Sequence, residues 1–88
     1  MMTKGEYRVG ITFNPSGDDM VGQIKRAAAD LIDLIEAIPL PSEEGPLAEY
    51  HCRNKHAAEV RRLKAMAQTD IETAAMHAVK AATKRAPE

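Results

Sequence analysis

The feature that most constrains this chain is its long C-terminal segment, Leu47–Ala86, in which no glycine or proline occurs. Its residues favour helix throughout, so the segment predicts one helix about 60 Å long. In the second half of that helix, Thr69–Lys84, the only large apolar side chains are Ile71, Met76 and Val79. Alanine fills most other apolar positions there, so whatever packs against this half must approach its backbone closely.

A shorter helix is predicted ahead of it, over residues 18–38. Apolar side chains recur there at spacings of three and four residues, as in an amphipathic helix: Val21, Ile24, Ala28, Leu31, Ile35 and Ile38. Pro39 ends the pattern, and the proline-rich stretch 39–46 predicts a connection to the long helix, residues 47–85. Residues 18–86 are therefore expected to form an all-α antiparallel helical hairpin.

Residues 1–17 precede the hairpin as an N-terminal arm. They mix β-branched and aromatic residues with glycine and proline, so we expect an extended arm that holds one short strand, or a short-helical arm. The stretch NPSG predicts a turn at the end of the arm. It leaves Ser16 or Asp18 to cap the first helix of the hairpin.

The two helices differ about twofold in length, about 30 Å against about 60 Å, so neither can cover the other. In a hairpin that turns tightly at the proline-rich connection, Ile38 should lie near Leu47 and Lys25 near Val60. Thr69–Lys84 would then overhang, to be covered by the arm, by other copies of the chain, or by both. We therefore expect an obligate homo-oligomer of helical hairpins; a monomer with the arm folded back is the alternative.

Charge is segregated along the chain although the net charge is only −1. The same predicted register gathers basic side chains of both helices near the open end of the hairpin: Lys25, Arg26, Arg61, Arg62 and Lys64. The arm residues Phe13 and Asn14 enter at that end. Cations beside an aromatic ring can bind phosphate while the ring stacks on a base, so the pattern indicates a nucleotide or nucleic-acid site. A solvated helix face is the other interpretation.

Few residues suggest catalysis or a metal. Cys52 and His56 have the spacing of two ligands on one helix face, but no second pair accompanies them. No glycine-rich phosphate loop, zinc-finger spacing or nucleophile elbow occurs in the sequence. We expect no enzyme, no metal and no cofactor. The single cysteine and the lack of a long apolar run predict a cytoplasmic protein without a membrane partner.

Several stretches together carry a family resemblance. The segments NPSG, VGQIKRAAADLIDLIE, PLPSEEG and AMAQTDIETAAMHAVKAATK resemble the small phage hairpin proteins that inhibit CBASS, the bacterial cyclic-oligonucleotide-based anti-phage signalling system. The resemblance spans about Thr12 to Lys84. Its most characteristic part is a pattern in the long helix: Ala67, Thr69, Ile71, Glu72, Ala75, Met76 and Lys80.

This resemblance implies a sponge. Such proteins assemble as compact hexamers and sequester cyclic dinucleotides such as cyclic GMP-AMP, and cyclic trinucleotides in separate pockets, without cleaving them. The expected location is then the host bacterial cytoplasm during phage infection.

The resemblance also assigns candidate ligand-binding residues. Phe13, followed by Asn14 and Pro15, matches the arm position whose aromatic ring binds the dinucleotide, and Lys25 matches a lysine that contacts it. Its neighbour Arg26 joins the same candidate set. Arg61 or Arg62 corresponds to an arginine of the trinucleotide pocket, and the pattern residue Thr69 completes the candidate ligand-binding set. The chain departs from the family pattern in carrying Phe13 where tyrosine is frequent and His77 where tryptophan is frequent.

Two other classes of protein remain open from the residues alone. A small oligomeric DNA-binding or regulatory helical protein would use Arg61, Arg62 and Lys64 against backbone phosphates. A structural adaptor would bind a helix of another protein and no small ligand.

Overall fold

The computed structural model describes residues 1–41 and 47–87 of the chain. Within them the chain forms three helices, α1 (Lys4–Val9), α2 (Asp19–Glu36) and α3 (Leu47–Thr83), and no strand. The predicted all-α helical hairpin is confirmed: α2 and α3 run antiparallel, and α1 packs against both. No helix in these two ranges is both long and apolar enough to cross a bilayer.

The arm is helical because its first residues form a capping box. The Thr3 side chain accepts a hydrogen bond from the Glu6 amide at 3.1 Å, and the Glu6 carboxylate accepts one from the Thr3 amide at 2.9 Å. Gly10 ends the helix at φ 64°, a left-handed conformation that glycine adopts without strain. The short strand expected in the arm is therefore wrong, and the short-helical alternative is what the arm adopts.

At both ends of α2, side chains form hydrogen bonds with backbone groups that have no partner within the helix. Asp18 is the N-cap and accepts from the Met20 amide at 2.9 Å, while Ser16, the other predicted cap, supports the turn by accepting from the Asp18 amide at 3.2 Å. At the other end, Lys64 of α3 donates to the carbonyls of Glu36 at 3.0 Å and Ile38 at 2.6 Å. A lysine at this end is also favoured by the helix dipole.

These contacts show that the predicted register is wrong. Ile38 lies beside Lys64 rather than Leu47, and the side-chain amide of Gln68 donates to the Ile32 carbonyl at 3.1 Å. Lys25 accordingly borders the same hollow as Val79, not Val60. The prediction assumed a tight turn between the helices, whereas the part of α3 that precedes Lys64 extends about 25 Å past the end of α2.

One face of the alanine-rich half of α3 is covered by the chain itself. Ala28 and Ala29 of α2 and Ala75 of α3 are buried between the helices, where small side chains allow the backbones to approach closely. The overhang predicted for Thr69–Lys84 is therefore wrong. It is the opposite, N-terminal end of α3 that extends beyond its partner.

α1 approaches α2 even more closely, and Gly5 makes this possible. A Cβ atom at Gly5 would lie 2.1 Å from the Ala29 carbonyl oxygen, far inside van der Waals contact. The Gly5 amide donates to the Asp33 carboxylate at 2.7 Å, and the Lys4 ammonium meets Glu36 at 2.9 Å. The arm is thus fixed on the hairpin by backbone contact as well as by charge.

A second apolar surface of α2 remains exposed in the single chain. Its side chains recur at alternating spacings of four and three residues and continue just beyond the helix: Met20, Ile24, Ala27, Leu31, Leu34 and Ile38. We call this set the apolar seam. Leu34 in its middle is 67% exposed. Such a spacing is that of a coiled-coil contact surface.

Candidate functional site

The residues between α1 and α2 form two consecutive turns that present Phe13. The Phe13 amide donates to the Gly10 carbonyl at 2.9 Å, which closes the first turn, and the Gly17 amide donates to the Asn14 carbonyl at 3.1 Å, which closes the second. The Asn14 side chain donates to the Asp18 carbonyl at 2.9 Å, so the second turn is tied to the start of α2. Phe13 itself is 70% exposed.

Lys25 holds these turns from below. Its residue is only 8% exposed, and its ammonium donates to the Gly10 carbonyl at 3.0 Å and also to the Phe13 carbonyl. The same nitrogen lies 5.4 Å from the centroid of the Phe13 ring, within the range of a cation–π interaction. A buried positive charge therefore lies beside an exposed aromatic ring.

Two hollows open on either side of Lys25. The first, the Phe13 hollow, has a volume of about 240 Å³ and is bordered by the arm turns, α2 and α3: Phe13, Asn14, Pro15, Ser16, Val21, Lys25, Val79 and Thr83. The second, the Arg8 hollow, is also about 240 Å³ and is bordered by Arg8, Val9, Lys25, Glu72, Ala75, Met76 and Val79. Both are half-open, so a flat group could enter either from solvent.

The structure brings four of the candidate residues together. Phe13, Asn14, Pro15 and Lys25 all border the Phe13 hollow. Arg26 points elsewhere, because its guanidinium pairs with Glu6 of α1 at 2.8 Å and with Asp30 at 2.8 Å. Hydrogen bonds from Arg26, and then from the Thr3 backbone, lower the pKa of Glu6 from 4.5 to about 2.

The predicted cluster of cations from both helices does not form within the chain. Arg62 pairs with Glu59 at 2.5 Å and Lys64 caps α2, about 16 Å along the helices from the level of Lys25. Arg61 borders a separate hollow with Lys64 and Lys4. The cluster prediction is wrong because it depended on the wrong register. Arg62 is salt-bridged and Lys64 caps α2, so neither favours binding of DNA phosphates along α3.

Thr69 has a partner that sequence reasoning missed. Arg8 of α1 donates to the Thr69 hydroxyl at 3.3 Å and to the Glu72 carboxylate at 3.1 Å. Thr69 lies apart from the Phe13 hollow. The signal that could have placed Arg8 is the Thr3–Glu6 capping box, since a helical arm aligns Lys4 and Arg8, four residues apart, on one face.

No metal site is visible in the described part of the chain, where no group of three or more His, Cys, Asp or Glu side chains is arranged to hold an ion. The Cys52 side chain of the Cys52–His56 pair lies outside the described residues.

Comparison with known families gives a match that covers most of the chain. Residues 5–83 match the family described as Acb2/Tad1, hairpin domain. The chain belongs to this Acb2/Tad1 hairpin family. Comparison with curated proteins and with solved structures gives no match.

The family match includes the arm as well as the hairpin. It begins at Gly5, the glycine that contacts α2, and ends at Thr83, the last residue of α3. The Acb2/Tad1 hairpin proteins are anti-CBASS sponges, which bind and sequester cyclic oligonucleotides rather than transform them. The resemblance found in the sequence is thereby confirmed, and Phe13 and Lys25 lie inside the matched region.

Proposed function

We propose that this chain sequesters cyclic dinucleotides such as cyclic GMP-AMP, without cleaving them, and so blocks CBASS signalling in the bacterial cytoplasm during infection. The observation that carries this proposal is the Phe13 hollow, where an exposed ring lies beside the Lys25 ammonium. A cyclic dinucleotide offers the matching chemistry, because it has two flat bases and two negative phosphates. Asn14 and Pro15 border the hollow and complete its wall.

Sequestration needs affinity rather than reactivity, and the hollow supplies features for binding. A base stacked on an aromatic side chain contributes about 1–3 kcal/mol. Two stacked bases with charge-assisted phosphate contacts in a preformed site make nanomolar binding, about −12 kcal/mol, attainable.

The proposal includes a homo-oligomer, with a hexamer as the expected assembly. The support is the apolar seam of α2, whose coiled-coil spacing suits a helix of a second copy. Two-fold symmetry between copies would present a pair of Phe13 rings and a pair of Lys25 ammonium groups to a near-symmetric cyclic dinucleotide.

A second kind of ligand, a cyclic trinucleotide, is assigned to another part of the surface. Arg61, Arg62 and Thr69 are the residues proposed for it. Arg26, next to Lys25 in the sequence, stays in the dinucleotide set although its guanidinium pairs with Glu6 and Asp30. Arg61 lies on a hollow of about 260 Å³ that also contains Lys4 and Lys64. Lys4 pairs with Glu36 there and Lys64 donates to the Glu36 and Ile38 carbonyls, so the trinucleotide part of the proposal is supported by the family resemblance.

The test is capture followed by release. The protein is mixed with cyclic GMP-AMP, unbound ligand is removed by filtration, the protein is heat-denatured, and the released nucleotide is analysed by mass spectrometry. Intact ligand recovered in proportion to the protein is the expected result. A linear product would indicate an enzyme, and the absence of capture would overturn the proposal.

A matched control is available on the arm itself. Tyr7 is 78% exposed on α1, is aromatic like Phe13, and borders neither hollow beside Lys25. We expect Tyr7→Ala to capture as much ligand as the unchanged chain and Phe13→Ala to capture less. Equal capture by all three proteins would show that Phe13 does not bind the ligand.

A further inference from the structure

We propose that Lys25 is a positioning residue: its ammonium fixes the turn from Gly10 to Phe13 and thereby holds the Phe13 ring where a base can stack on it. The ligand-binding part of this inference rests on the proposed function. The structural part concerns the free protein and stands without any ligand.

The first observation is how the Lys25 ammonium is satisfied. A lysine ammonium has three N–H donors and must find acceptors when it is buried. At Lys25 two acceptors are the carbonyls of Gly10 and Phe13, the first and last residues of one turn. No carboxylate pairs with this nitrogen among the described residues. A single atom on rigid α2 thus ties both ends of the turn.

The second observation is that little else fixes the Phe13 ring. The ring is largely exposed, so packing around it is sparse. The turn itself is closed by one backbone hydrogen bond, from the Phe13 amide to the Gly10 carbonyl, and it begins at a residue with φ 64°. Without Lys25, the two carbonyls would lose their common donor and the ring would lose the cation 5.4 Å from its centroid.

Positioning and direct phosphate contact make different predictions. If Lys25 acts through the turn, removing its ammonium loosens the turn in the free protein, and the loss of affinity overlaps with that of Phe13→Ala. If Lys25 acts only on a ligand phosphate, the free turn is unchanged and the two losses add. The salt dependence of binding separates them as well, since only the loss of a phosphate contact lowers its slope.

The first test uses the ligand-free protein. Hydrogen exchange of the Phe13 amide, the donor that closes the turn, is compared with that of the Ile32 amide in the middle of α2. Lys25→Met, which keeps the side-chain stem, should raise the Phe13 rate about tenfold relative to Ile32, as expected when one charged hydrogen-bond partner is lost. Unchanged relative exchange at Phe13 would overturn the inference.

Two further variants keep this test interpretable. Lys80→Met removes a charge from exposed Lys80 on α3 without touching the turn, and should leave Phe13 exchange unchanged. If Lys25→Met fails to fold, Lys25→Gln provides a second variant, since its amide still donates but reaches less far. An intermediate rise in Phe13 exchange is then expected, and no rise would contradict the positioning role.

The second test is a double-mutant cycle on cyclic GMP-AMP affinity, measured by calorimetry. The double variant Phe13→Ala/Lys25→Met should bind within about threefold of the weaker single variant, because the two changes remove the same stacking platform. Fully additive losses with a reduced salt slope would overturn the inference. If the unchanged chain binds no cyclic nucleotide, the proposed function fails, and the exchange experiment still decides the role of Lys25 in the turn.

Discussion

The two apolar faces of α2 differ in how completely the chain covers them. One face, with Val21, Ala29 and Ile32, is buried beneath α1 and α3. The other face is the apolar seam, where Leu34 remains exposed although it lies only two residues from fully buried Ile32. The chain therefore completes one side of its own core and leaves the other side exposed. This contrast teaches that the arm covers one face of α2, while the proposed assembly would depend on the seam.

The largest expected effect comes from comparing Ile32→Ala with Leu34→Ala. Ile32→Ala removes a fully buried side chain and should lower the free energy of unfolding by about 3 kcal/mol. Leu34→Ala should change it by less than about 0.5 kcal/mol in dilute protein. Chemical denaturation measures both. At high protein concentration Leu34→Ala should reduce self-association in sedimentation experiments; an unchanged assembly would exclude the seam as the contact.

A smaller effect is expected from adding one methyl group where α1 meets α2. Gly5→Ala places a Cβ against the Ala29 carbonyl, so it should destabilise the protein by about 2 kcal/mol and displace α1. Gly22→Ala is the matched control, because nothing lies within 4 Å of its Cβ position, and it should stabilise α2 by about 0.5–1 kcal/mol. Denaturation curves of the two variants test this. Equal stability for both would contradict the close α1–α2 contact.

The smallest effect concerns acid and the ion pair between Glu6 and Arg26. The folded-state pKa of Glu6 is about 2, below its ordinary 4.5. Its stabilising contribution is therefore fully present above pH 4.5 and is lost as the pH falls toward 2. In Glu6→Gln the free energy of unfolding should depend less on pH between 4.5 and 2 than in the unchanged chain. Unfolding followed by circular dichroism at several pH values measures this.

A matched control for the role of Glu6 in holding the arm is Glu59→Gln. The Glu59 carboxylate pairs with Arg62 within α3, so it links no two helices. Glu59→Gln should leave the hydrogen exchange of the α1 amides at neutral pH unchanged. Glu6→Gln should make that exchange faster, because α1 is held less firmly on α2. Identical behaviour of the two variants would show that the Glu6–Arg26 pair does not hold the arm.

The sequence allowed the helices to be predicted but not their alignment. Periodic apolar residues and Pro39 placed α2, and the segment without glycine or proline placed α3. The register depends instead on tertiary contacts, such as Lys64 capping α2 and the hydrogen bond from Gln68 to the Ile32 carbonyl, which no local pattern specifies. The helix in the arm could have been placed from the sequence, because Thr3 and Glu6 have the spacing of a capping box. The mixed composition of the arm does not indicate this helix.

The grouping of the candidate site could also be predicted only in part, because some of its residues are neighbours in sequence and others meet only through the fold. Phe13, Asn14 and Pro15 are neighbours in sequence, and Lys25 lies two turns into α2, so the family resemblance was enough to select them. The burial of Lys25 beneath two carbonyls could not be predicted, because it depends on how the arm folds back. Arg61, Arg62 and Thr69 lie elsewhere in the single chain, away from the Phe13 hollow.

The most direct measurement is calorimetric titration of cyclic GMP-AMP into the unchanged chain, Phe13→Ala and Tyr7→Ala. The account predicts nanomolar binding for the unchanged chain and for Tyr7→Ala. For Phe13→Ala it predicts a loss of about thirtyfold or more, because the substitution removes both rings of the paired site at about 1–3 kcal/mol each. No heat of binding for the unchanged chain, or equal affinity in all three proteins, would contradict it.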